Sequence, residues 1–202
     1  MARVFTELRK LRPPRKLSRD EAMCVAEQQA LRLLALHRLT SFDDAPVPEE
    51  LISHLPRIVV RRLELGPTIS GLAHWQNGMW CVALNGNEPL VRQRFSLAHE
   101  LSHILEAPFA RYAVDAHTER VADHFAASLL MPRIWVKQLW RSPHQDPRAM
   151  AAILEVSEIA MYRRLHALGL HLAADPEPEH WLPESDQLNL DLYGGAHDAV
   201  AA

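Results

Sequence analysis

The spacing of apolar positions changes along the 202-residue chain and divides it into helical and extended stretches. From Ser18 to His37 the composition is rich in Ala, Leu, Gln and Glu, all good helix formers. Met23, Ala26, Ala30, Leu33, Leu34 and His37 recur at helical spacing, which predicts a helix with one buried face. Ser18-Arg-Asp-Glu21 fits a capping box at its start, the hydroxyl and the carboxylate each satisfying a backbone donor. Asp43-Asp44-Ala-Pro46 reads as a loop. The segment after Pro48 starts a short helix, with Pro in its first turn and acids at its positive end.

From residue 58 the period shortens. Ile58–Leu65 is β-rich and partly alternating, and Gly66-Pro67 ends it. Thr68–Trp75 and Met79–Leu84 flank Gln76-Asn77-Gly78, and Asn-Gly between apolar runs predicts a hairpin. The expectation is a small, mostly antiparallel sheet of about three strands. After Pro89 helical spacing returns. Leu90–Glu106 and His117–Leu130 are predicted as helices stopped by Pro108 and by Met131-Pro132. Another helix runs from Pro132 through Trp140, and residues 147–169 read as two short helices around Val156-Ser157. The fold class is therefore α+β, mainly helical, with the sheet beside the Leu90–Glu106 helix.

Charge refines this picture at the ends. Residues 1–20 carry seven basic and two acidic side chains, whereas residues 165–202 carry seven acidic ones and neither Lys nor Arg. Residues 1–16 are expected to be a basic flexible arm and 173–202 an acidic tail. Between them lie a main domain over 17–141 and a helical segment over 142–172. The net charge of −3 does not suggest general nucleic-acid binding. No run approaches the ~18 apolar residues of a membrane helix. The basic N-terminus lacks the apolar core of a secretory signal. Cys24 and Cys81 are too few for a disulfide scaffold or an all-cysteine zinc site and read as buried free thiols. A cytoplasmic protein is expected.

The candidate chemistry is concentrated in Arg94-Phe-Ser-Leu-Ala-His99-Glu100-Leu-Ser-His103-Ile-Leu. This is H-E-x-x-H on a predicted helix. Four residues is just over one turn, so both imidazoles can reach one metal ion. Glu100, offset by about 100° around the helix, can meet a bound water without being a ligand. Arg92, Ser96, His99, His103 and Glu106 form a polar face. Leu90, Leu97, Leu101 and Ile104 form an apolar one.

A catalytic zinc needs a third protein ligand and an open position. Glu119-Arg-Val-Ala-Asp123 on the next helix offers two carboxylates on one face. Glu119 can complete a His–His–Glu set, and Asp123 can accept the free ring N–H of a ligand histidine. Ala122, Ala126 and Ala127 are small enough for the two helices to pack closely. Asp115, His117 and His124 are rival ligands. Tyr112 and His117, between the two helices, are candidates for contacts to an oxyanion or substrate.

These strings resemble the ImmA/IrrE family of zinc metallopeptidases. RFSLAHELSHIL and ERVADHFAASLLMP carry the likeness. ISGLAHWQNGMWCVALN and VSEIAMYRRLHALGL extend it over roughly residues 50–170. The resemblance implies a zincin-like domain with a gluzincin-type site. His99, His103 and Glu119 would be zinc ligands, Glu100 the general base and Asp123 the orienting acid. It also implies a protein substrate, a helix-turn-helix repressor of the Xre type, whose cleavage at one site relieves repression under stress or in a mobile element. A competing reading is a regulator, sensing zinc or binding DNA through the C-terminal helix pair with Arg163 and Arg164. Two arginines are a thin phosphate-binding footprint, so direct DNA binding is not expected.

Overall fold

Polar anchors and apolar packing together set the helix that carries the H-E-x-x-H string between a sheet and a second helix. The structure, a computed structural model, describes residues 3–43, 45–112, 117–141 and 145–170, with backbone only for Arg3, residues 110–112 and His117. The acidic tail expected over 173–202 lies outside the described residues.

The helices are α1 (Arg3–Arg9), α2 (Arg19–Leu36), α3 (Glu50–Ser53), α4 (Leu90–Glu106), α5 (His117–Leu130), α6 (Arg133–Trp140), α7 (Pro147–Leu154) and α8 (Glu158–Ala167). The strands are β1 (Ile58–Leu63), β2 (Gly71–Gln76) and β3 (Met79–Asn85). A 3-10 turn, Ala107–Tyr112, continues from α4. The capping box is present at Ser18 and Glu21. The Asn77-Gly78 turn has φ of 51° and 78° at its two central residues, the left-handed pair that a two-residue hairpin requires.

The sheet order is β1-β3-β2. β2 pairs antiparallel with β3 through the hairpin, whereas β1 pairs parallel with β3. The expected mostly antiparallel sheet is thus a mixed one. The connection through Gly66-Pro67 carries the chain across β3 to its far side, which leaves β2 as an edge. Asn85, 3% exposed, holds that connection: its side-chain amide donates to the carbonyls of Gly66 and Ile69.

The core is layered. α5 lies between α2 and α4, and α4 lies between α5 and the sheet. Ala26 and Ala30 on α2, Ala98 on α4, and Ala122 and Ala126 on α5 are all buried, small side chains that let helix axes approach. Leu97, Leu101, Ile104 and Leu105 carry α4 into the core. Leu90, expected on that face, is 69% exposed because it opens the helix before the packed region begins. His37, expected on the buried face of α2, is its exposed C-cap. At Gly71 a Cβ would stand 3.4 Å from that of Ser96, so the missing side chain lets α4 lie close against β2.

The N-terminal segment is not a free arm. Leu8 on α1 is fully buried, and Arg9 donates to the carbonyls of Ile104 and Leu105 at the end of α4. Arg12, itself buried, pairs with Glu106 at 2.7 Å. The basic residues answer the negative end of the α4 dipole and its unpaired carbonyls. At the other end, Met150, Leu154, Met161 and Leu165 of α7 and α8 belong to the same buried cluster as α2, α4 and α5. Arg164 is buried and donates to the Met131 carbonyl at 3.0 Å, so its charge is not displayed for a phosphate. Cys24 is exposed and Cys81 half-buried, and both are free, which corrects the expectation of buried thiols. No helix among the described residues is long and apolar enough to cross a membrane.

Candidate metal centre

Helical spacing does locally what the motif requires. His99 and His103 stand one turn apart on α4, with ring centroids 4.8 Å apart. Their Nε2 atoms face each other at 3.0 Å. The close approach of α5 brings Glu119 to both, its Oε2 3.1 Å from His99 Nε2 and its Oε1 3.3 Å from His103 Nε2. Ligand atoms from these three side chains all lie within 4.8 Å of one another. One turn further along α5, Asp123 Oδ1 lies 2.8 Å from His99 Nδ1. An N–H donated there leaves the Nε2 lone pair turned toward His103 and Glu119.

These distances suit a cation. Two ligand atoms of a tetrahedral zinc shell, each about 2.0–2.1 Å from the ion, stand about 3.3 Å apart. Two facing Nε2 atoms have little reason to approach at 3.0 Å in the absence of a shared proton or ion. Two imidazoles and a carboxylate are also the donor types that bind zinc and leave a position open.

The electrostatics agree. Burial opposes charge on His99, but the carboxylates of Asp123 and Glu119 outweigh it and raise its pKa to about 10. Burial likewise resists ionisation of Glu119, yet the imidazoles of His103 and His99 hold it well below the usual carboxylate range. The site thus attracts positive charge, which a proton or a metal ion can satisfy. Glu100 is 8% exposed. Burial pushes its pKa up, Glu119 adds to the rise, and the two histidines pull against it.

The backbone N–H of Ala73 on β2 lies close enough to the Glu100 carboxylate to favour its charged form. A main-chain donor has no signature in side-chain types, so this partner is invisible in the sequence. Its orientation follows from the sheet. The Ser70 carbonyl accepts from Asn85 N, so its polar groups face β3, and alternation turns those of Gly71, Ala73 and Trp75 to the free edge. Glu100 therefore sits at the open edge of β2.

The other sequence candidates separate from this cluster. His124, on α5, is largely desolvated and lowered in pKa by burial and then by Arg164, and it is not among the grouped donors. The side chains of Tyr112 and His117, and all of Asp115, lie outside the described residues.

No curated protein is significantly similar to the chain. The model of the IrrE N-terminal-like domain, Peptidase_M78, matches residues 56–166, more than half of the sequence. The match runs from just before β1 through most of α8 and includes every residue of the His99–His103–Glu119 cluster. The chain therefore belongs to this family of metallopeptidases, in agreement with the resemblance carried by its motifs.

Proposed function

We propose that the protein is a zinc-dependent endopeptidase in which His99, His103 and Glu119 hold the metal, Glu100 is the general base and Asp123 orients His99. The observation that carries this reading is the convergence of two Nε2 atoms and one carboxylate from neighbouring helices. When bound, zinc supplies a Lewis acid that brings the pKa of a coordinated water toward ~7 and polarises the scissile carbonyl.

The remaining chemistry belongs to the chain. Glu100 takes the proton of the attacking water and delivers it to the departing amine nitrogen. Its burial supports this role, because a carboxylate with a raised pKa is a stronger base and takes up the proton of a water more readily than an exposed one. The nearby Ala73 N–H favours the charged form of that carboxylate. The free edge of β2 supports a substrate backbone that adds as an extended strand. β3, directly before α4, lies between its two partners, so the edge near Glu100 is that of β2.

The motif resemblance favours a helix-turn-helix repressor of the Xre type as substrate, cut in the cytoplasm to relieve repression. Incubating the zinc-loaded protein with the Xre-type repressor encoded nearest to its gene, with and without a chelator, tests this reading. Chelator-sensitive cleavage at a defined bond supports it. An intact repressor together with cleavage of other proteins would overturn the substrate and keep the enzyme.

A further inference from the structure

A groove of about 610 Å³ crosses the hairpin end of the sheet beside this edge, walled by Phe5 of α1, Trp75 of β2, Trp80 of β3 and Pro108, with Arg9 and, from the far side of β3, Arg57 among its lining. Its size falls within the ~300–1,000 Å³ of ligand-binding clefts. Its position follows from two short steps. Trp75 lies two residues along β2 from Ala73, about 7 Å in an extended strand. Ala107, which also lines the groove, donates its N–H to the carbonyl of His103, one helical turn back. The groove thus begins where the Glu100–His103 site ends.

Two observations specify what it accepts. Trp75 and Trp80 form an edge-to-face pair 5.4 Å apart, directly opposite each other in the hairpin, yet Trp75 is 50% exposed. An indole left half in water beside unpaired main-chain groups offers apolar contact to an added strand. The charge in the groove is positive. The Arg9 guanidinium is fixed by two α4 carbonyls and lies over the Phe5 ring at 5.3 Å. Arg57, exposed, has no ion-pair partner among the described residues.

We infer that this groove selects the substrate: an extended segment adds to the free edge of β2, a large apolar side chain within two or three residues of the cut bond lies against Trp75, Trp80 and Phe5, and an Asp or Glu two residues along, on the same face of the segment, meets Arg57 and Arg9. The inference rests on the peptidase reading above. It assigns a role in recognition to α1, which lies outside the segment matched by the family model.

The test has two arms. In the first, the zinc-loaded protein cleaves a pool of short peptides with randomised positions, and the cut sites are mapped by mass spectrometry. In the second, fluorescein-labelled peptides carrying Phe-Ala-Asp or Ser-Ala-Lys are titrated against the Glu100→Gln protein and binding is read by anisotropy. The expected result is a preference of at least about tenfold for the apolar–acidic pair in both arms, about 1.4 kcal/mol. Trp75→Ala should remove the apolar preference. Arg57→Glu should turn the neighbouring preference from acidic to basic, a reversal that misfolding cannot produce. Cleavage without positional preference, or an acidic preference that survives Arg57→Glu, would overturn the groove and leave the peptidase standing. Selective, Trp75-dependent binding without any cleavage by the wild type would keep the groove and reject the peptidase. Absence of both would reject both. Stronger displacement of the labelled peptide by one spanning residues 171–202 would make the acidic tail the occupant and overturn the substrate assignment.

Discussion

Asp123 Oδ1 lies 2.8 Å from His99 Nδ1, joining α5 to the histidine ring on the side away from His103 and Glu119. The bond selects the tautomer with a free Nε2 and fixes the ring plane. Asp123→Ala should therefore weaken zinc binding by about 10–100-fold while leaving the fold intact, as read by competition with a chromophoric chelator. Unchanged affinity would return Asp123 to the status of a solvated helix acid.

Glu100 separates metal binding from turnover. It is absent from the grouped ligand atoms yet is buried beside them. Glu100→Gln should keep the zinc content of the wild type and lose about 10²–10⁴-fold in peptide cleavage, the range ascribed to general acid–base catalysis. Elemental analysis and cleavage rates on the same preparation check both halves. A variant that retains turnover would remove the general-base role.

Arg9 tests whether α1 is part of the folded unit. Its guanidinium donates to the Ile104 carbonyl at 2.8 Å and to the Leu105 carbonyl at 3.3 Å. Arg9→Met removes both bonds while keeping much of the aliphatic packing. The expected loss is about 1.5–3 kcal/mol in urea unfolding, the range for hydrogen bonds to charged groups. No change in stability would make α1 an appendage.

Glu21 supplies a pH signature at the start of α2. Hydrogen bonding to Arg15, then to the Ser18 backbone, lowers its pKa from 4.5 to about 2. A carboxyl depressed by folding stabilises the native state fully above 4.5 and loses that contribution as pH falls toward 2. The stability difference between wild type and Glu21→Gln should be constant near neutrality and shrink through that window. A difference that grows on acidification would reverse the assigned sign.

The site was legible because its spacing lies within helices. His99 and His103, and Glu119 and Asp123, each need only one turn to share a face, and small residues on α5 announced a close helix pair. What stayed hidden depends on contacts distant in sequence. The strand segments were readable from alternation and from Asn77-Gly78, but the parallel pairing of β1 with β3 arises only when the chain crosses the hairpin. The N-terminal segment reads as a solvated arm because seven basic residues dominate its composition, while Leu8 and Phe5, which meet the core and the groove, are few. Arg9 and Arg12 reach two backbone carbonyls and a glutamate more than ninety positions away, which no local pattern contains. Arg164 illustrates the converse: a basic residue on a short helix resembles a phosphate contact until its burial is known.

The most direct test is X-ray absorption spectroscopy of the zinc-loaded wild type and of Glu119→Ala. Two imidazole nitrogens and carboxylate oxygen at about 2.0–2.2 Å are predicted for the wild type, with zinc largely lost from the variant. A sulfur-containing or oxygen-only shell, or undiminished zinc in the same environment after Glu119→Ala, would contradict the His–His–Glu centre.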